Sequence, residues 1–131
     1  MTINREDEIR SRLEDIAGPA PAGAERALLT RLIRSFAAKT PAGVDRLGEL
    51  LRGAGNEDVC DHAHGLKGSA SNIGAGTLSA IFAEVENTAR DGRVPDADLT
   101  LGRIRAELAI TLLALERVAA ELDARQPLPG A

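Results

Sequence analysis

The stretch Asn56–Gly74, NEDVCDHAHGLKGSASNIG, decides the fold. Val59, Ala63, Leu66 and Ala70, extended by Ile73, recur at spacings of four, three, four and three. A helix turns once in about 3.6 residues, so these positions form one apolar stripe of the kind that lines a bundle seam. Asn56 is placed to cap the helix, and Gly74 and Gly76 interrupt it.

The same periodicity extends in both directions. Upstream, Asn4 followed by the acidic Asp7 reads as a helix start, and Ile9, Leu13 and Ile16 share one face. Gly18-Pro19-Ala20-Pro21 ends that helix. A second helix is expected over about 24–38, with Leu28, Leu29, Leu32, Ile33 and Phe36 as its buried stripe. Thr40-Pro41 reads as a cap followed by a first-turn proline. It opens a segment with Val44, Leu47 and Leu51, closed by Gly53-Ala54-Gly55. The sequence leaves open whether this segment is separate or continues the preceding helix. Downstream, Leu78, Ile81, Phe82, Val85 and Ala89 mark another helix, stopped at Asp91-Gly92. Pro95-Asp96 starts a long last helix carrying Leu101, Ile104, Leu108, Thr111, Leu112, Leu115, Ala119 and Leu122.

Short linkers make successive helices antiparallel. The expectation is one all-α domain over residues 1–131, a four-helix up-down bundle with an additional N-terminal helix. Its core spans about 24–124, residues 4–17 form a covering helix, and 126–131 form a frayed tail. Composition agrees, because there is no Trp or Tyr, Phe36 and Phe82 are the only aromatics, and β-branched residues never alternate. A length of 131 residues fits one domain.

A net charge of −4 argues against sequence-independent nucleic-acid binding, which needs a basic face. No run approaches the roughly 18 apolar residues of a membrane span. The N-terminus lacks an apolar signal core, so the expected setting is cytoplasmic, with no membrane partner. The single cysteine, Cys60, cannot make an intrachain disulfide.

Chemistry concentrates at His64-Gly65-Leu66-Lys67-Gly68. With about 100° per residue, and the Val59–Ala70 seam taken as the core direction, His64 points roughly 140° from the core. Lys67 lies roughly 80° away and Gly68 roughly 180°. A solvent-facing neutral imidazole is a competent nucleophile near neutral pH. Lys67 sets a positive charge where a transferred phosphoryl group would be negative. Gly68 costs the helix about 0.5–1 kcal/mol relative to alanine, and Gly65 adds a second such cost. The return is clearance for a partner's active site beside the imidazole.

This string resembles the histidine-containing phosphotransfer (HPt) domains of multistep two-component relays. Their pattern is a histidine, any residue, a Leu-like residue, Lys, Gly, then small residues and an apolar-Gly pair. Here it is carried by His64, Leu66, Lys67, Gly68, Ser69, Ala70, Ile73 and Gly74. The flanking helices match as well, Leu28–Phe36 upstream and Val85-Glu86 to Arg90-Asp91-Gly92 downstream, for a coverage from about Ile3 to Leu122. Gly65 and Ser71 depart in detail, since the family more often has Thr or Ser at the first and Gly at the second.

The resemblance implies that His64 is the phosphoacceptor, Lys67 the lysine beside it and Gly68 the access glycine. Glu86 falls where the family has Glu or Gln near the histidine, to orient the imidazole or to pair with Lys67 or Arg90. It further implies a phosphocarrier that takes the group from one receiver aspartate and gives it to another. The partners would be receiver domains of a hybrid histidine kinase or of response regulators, with Mg²⁺ on the receiver. The resemblance implies no intrinsic cofactor, kinase or nucleotide-binding domain, and a monomer.

Plainer readings stand beside these. His62, about 60° from the core direction on the other flank, reads as a boundary packing residue. Cys60 and His64 have a spacing that can bind zinc, but no second liganding pair accompanies them, so no metal site is expected. Asn72 reads as a local backbone hydrogen-bond partner, and Glu86 with Arg90 also fits a plain surface pair. The alternative function is a non-catalytic docking module that binds a receiver or another regulator without turnover.

Overall fold

The computed structural model describes residues 4–53 and 55–124. The tail expected to fray, 126–131, lies outside them, as does Ala54. Among the described residues there are five helices and no strand. They are α1 (Arg5–Ala17), α2 (Gly23–Gly53), α3 (Asn56–Asn72), α4 (Gly76–Arg90) and α5 (Ala97–Ala124). α2, α3, α4 and α5 follow one another around an up-down bundle, each packed on the next, and α5 closes back on α2. The core runs through the middle and includes Val44, Leu47, Val59, Ala63, Phe82, Ile104 and Leu115.

The largest departure from the sequence expectation is in α2. Thr40-Pro41 starts no new helix, because α2 runs unbroken through Pro41. Thr40 is buried in mid-helix instead of capping. The stripe Leu29, Ile33, Phe36, Thr40, Val44, Leu47 never loses phase, and burying it holds the helix together across the missing proline N–H. The stripe is also narrower than expected. Leu28 and Leu32 are 46% and 38% exposed, and Ile16 on α1 is 39% exposed. These residues sit at the edges of their apolar faces, where neighbouring helices cover them only in part.

α2 and α5 extend beyond the shorter α3–α4 pair, and α1 packs on the part that protrudes. Arg5 grips Glu107 on α5 through two hydrogen bonds of 3.2 and 2.8 Å, and Arg10 pairs with Glu121. These contacts hold α1 against α5. α1 also meets the α3–α4 turn, where Gly74 has φ +82° and a Cβ there would lie 2.7 Å from Arg12 Cβ and 2.9 Å from the Glu8 carbonyl oxygen. Only glycine fits both the backbone and the space.

Helix ends follow local chemistry. Asn4 caps α1 by accepting from the Glu6 N–H at 2.8 Å, and Asp96 accepts from the Leu99 N–H at 2.9 Å to start α5. Asn56 is not the cap of α3. It is the first helical residue, and Gly55 holds the cap position. Asn72 bonds through its side chain to Arg12 and not to local backbone. The Arg12 guanidinium donates to the Asn72 side-chain oxygen at 3.3 Å and to its backbone oxygen at 3.1 Å, placing a cation on the C-terminus of α3.

Candidate functional site

α3 and α4 form the most extensive helix pair, and the candidate site lies on their outer seam. The Val59–Ala63–Ala70 stripe of α3 is fully buried, with Leu66 half-buried, so His64 must face out. Its side chain is 67% exposed. Gly65 and Gly68 lie on the same open ridge, and a Cβ at either would meet nothing within 4 Å. Neither glycine is demanded by packing.

Glu86 on α4 organises the seam. It is no surface residue paired casually with Arg90, because only 2% of it is exposed. Its Oε1 accepts from Lys67 Nζ at 2.6 Å. Its Oε2 accepts from Arg90 at 2.9 Å and meets His64 Nδ1 at 2.6 Å. Three cationic or protic side chains thus converge on one buried carboxylate. The Lys67 hydrogen bond, opposed by burial and assisted by His64, holds the Glu86 carboxyl below its ordinary range. An ionised carboxylate only accepts, so Nδ1 of His64 carries the proton and donates. In the neutral form of the ring the free lone pair is then on Nε2, on the side turned away from Glu86.

Lys67 is one-third exposed, beside the imidazole. Its backbone is steadied from α4, because Ser79 donates to the Lys67 carbonyl oxygen at 3.2 Å and shares a 2.6 Å hydrogen bond with Ser71. The Ser71 hydroxyl is therefore taken up by α4. Ser69 lines a different groove, on the α2 side, with Leu32, Phe36 and Ile73. Neither serine is brought to the ring. His62 sits on the other flank, where its Nε2 bonds the Gly43 carbonyl oxygen at 2.8 Å. That contact matches the packing role read from its angle.

Sequence reasoning placed Glu86 near the histidine only through resemblance and missed its burial. The signal was present, since Glu86 falls four residues after Phe82 and so lies on the apolar face of α4. A carboxylate on such a face needs partners. Among the described residues, no three His, Cys, Asp or Glu side chains gather to hold a metal ion, and no helix is long and apolar enough to cross a membrane.

The family model described as Hpt domain matches residues 31–126. The match begins inside α2, so α1 lies outside it, and it is narrower at the N-terminus than the resemblance traced from about Ile3. No curated protein and no solved structure matches the chain.

Proposed function

Since the chain belongs to the Hpt-domain family, whose members serve histidine phosphotransfer in phosphorelays, we propose that His64 carries a phosphoryl group between two receiver domains. The observation that carries this reading is the 2.6 Å bond from Nδ1 to a buried carboxylate on a ring that is two-thirds exposed. That bond fixes the tautomer and aims Nε2 at solvent.

The steps balance without a nucleotide. The Nε2 lone pair attacks the phosphorus of a receiver's aspartyl phosphate. The Nε2–P bond forms as the P–O bond to the aspartate breaks, and the carboxylate leaves with the electron pair. Glu86 keeps the Nδ1 proton in place and offsets the positive charge that develops on the ring. Lys67 lies close enough to share its ammonium with the phosphoryl oxygens. Transfer onward reverses the sequence at a second aspartate. The open ridge at Gly65 and Gly68 lets a receiver's pocket close over the ring. Mg²⁺ belongs to the receiver in this scheme.

Incubation with a phosphorylated receiver tests the reading. The chain should acquire an acid-labile, alkali-stable phosphate. His64→Gln should abolish it with an unchanged helical circular-dichroism signal, and His62→Gln should not. A complex without transfer would instead support a docking module. Labelling that survives His64→Gln would end the assignment.

A further inference from the structure

A serine or threonine inside a helix commonly turns its hydroxyl back onto the carbonyl four residues earlier. Thr88 on α4 does so, donating to the Glu84 carbonyl oxygen at 2.9 Å. Ser79, earlier on the same helix, reaches across to α3 instead. Its hydroxyl donates to the Lys67 carbonyl oxygen at 3.2 Å and lies 2.6 Å from the Ser71 hydroxyl. A carbonyl only accepts, so the Ser79 proton goes to Lys67, and Ser71 donates to Ser79. Ser79 is buried, and these two bonds offset the cost of burying its hydroxyl. α4 thus holds the turn of α3 that begins at Lys67 and ends at Ser71.

The grip falls where apolar packing gives little. Beyond Lys67 the groove along the two helices is lined by Ser71, Gly76, Ser79, Ala80 and Ala83. Side chains this short form shallow ridges that do not interlock against sliding. Glu86 comes seven residues after Ser79, on the same face of α4 and about 10 Å along its axis. Lys67 is therefore tied to α4 twice, through its carbonyl oxygen by Ser79 and through its ammonium by Glu86. The flexible lysine stem can follow Glu86 if the helices shift. The short arm of His64 cannot, and a shift of about 1 Å away from the ring takes its 2.6 Å contact with Glu86 out of hydrogen-bond range.

We propose that Ser79 is a positioning residue for transfer at His64, holding the Lys67 turn of α3 in the register at which Glu86 meets the imidazole. The proposal rests on the phosphotransfer reading of His64 and adds to it a residue outside the motif. Without the Ser79 clamp the Nδ1 bond loosens, the ring proton is no longer held on Nδ1, and the Nε2–H form gains population. That form has no lone pair on Nε2 with which to attack phosphorus. Ser79 lies beneath the surface a receiver would cover, so it governs the rate of transfer and not receiver affinity.

Ser79→Ala in the full chain tests the proposal, with Thr88→Ala as the comparison. Proton–nitrogen correlation spectra of the imidazole report which ring nitrogen carries the proton. The wild type should show His64 protonated on Nδ1 at neutral pH. Ser79→Ala should move both ring nitrogens toward the Nε2–H pattern while the helical circular-dichroism signal is kept. Transfer from a phosphorylated receiver should slow about fivefold or more at saturating receiver, with the half-saturating concentration unchanged. Thr88→Ala removes a hydroxyl–carbonyl bond from the same helix and should leave both measurements at wild type. Wild-type His64 signals in Ser79→Ala, or in Ser71→Ala if the first does not fold, would overturn the proposal whatever the melting temperature. An equal shift in Thr88→Ala would overturn it as well. Absence of labelling in the wild type would end the phosphotransfer reading and the proposal with it. Normal labelling beside unshifted ring signals in Ser79→Ala would end the proposal alone.

Discussion

Replacing Glu86 by glutamine tests whether one buried carboxylate holds the seam together. The substitution keeps shape and volume but removes the charge. It also turns an amide NH₂ toward a cationic donor. A charge-assisted hydrogen bond to a buried acceptor contributes about 1.5–3 kcal/mol. His64 and Arg90 are 67% and 60% exposed and regain water when released, so they add little. Lys67, at 32% exposed, sets most of the cost. The expected loss is about 1–2 kcal/mol at neutral pH. At an unfolding entropy of about 2.1 cal/mol/K per residue, this chain should lose roughly 4–7 °C in Tm.

The loss should depend on pH with a defined sign. The folded carboxyl is held below its ordinary range, chiefly by Lys67. The unfolded chain therefore binds a proton at a higher pH than the folded one, and wild-type stability rises with pH between the two values. The advantage over Glu86→Gln is complete above the ordinary glutamate value of about 4.3. It disappears as pH falls through the lower folded value. Urea denaturation of both proteins, followed by circular dichroism at neutral and acid pH, measures the gap. Equal stability at pH 7, or a gap that stays constant on acidification, would refute the account of Glu86.

Lys67→Ala should slow single-turnover transfer from a phosphorylated receiver by about tenfold or more while the fold persists, and an unchanged rate would reduce Lys67 to a tether for Glu86. Gly68→Gln should stabilise α3 by about 0.5–1 kcal/mol, since its Cβ enters open space, yet weaken receiver binding; wild-type affinity in a titration would remove the clearance argument. Gly74→Ala should cost about 2–4 kcal/mol, because φ +82° and the 2.7 Å approach to Arg12 Cβ both penalise a side chain, and a thermal melt close to wild type would show that α1 can shift to accept it.

Helix positions were legible in the sequence wherever the governing interaction was local. The α3 seam, the Asn4 cap, the stop at Asp91-Gly92 and the start at Asp96 depend on neighbours a few residues away. What was not legible depends on contacts far along the chain. Pro41 looked like a boundary because its local preference is for a first turn, but its place inside α2 follows from burial against α3 and α5. Gly43 and Gly48 are close approaches that no local pattern announces, with a Cβ falling 2.9 Å from Leu66 Cδ2 and 2.8 Å from Leu101 Cδ1. The grip of Arg5 on Glu107 joins positions 102 residues apart, which no periodicity reveals.

The site divides along the same line. That His64 faces outward follows from counting along one helix, because the residues that define the core direction are its own neighbours. The state of its imidazole does not follow from that count. It requires knowing that α4 turns Glu86 inward and brings it within 2.6 Å of both Nδ1 and Lys67 Nζ. Half of that was available, since a glutamate four residues after a buried phenylalanine shares its face. The missing half was the rotation of α4 against α3, set by packing around Phe82 and Ala63, neither of which leaves any surface exposed. The apolar core thus decides which nitrogen of His64 is free. Polar residues at the surface carry the chemistry, but the interior fixes the angle at which they meet.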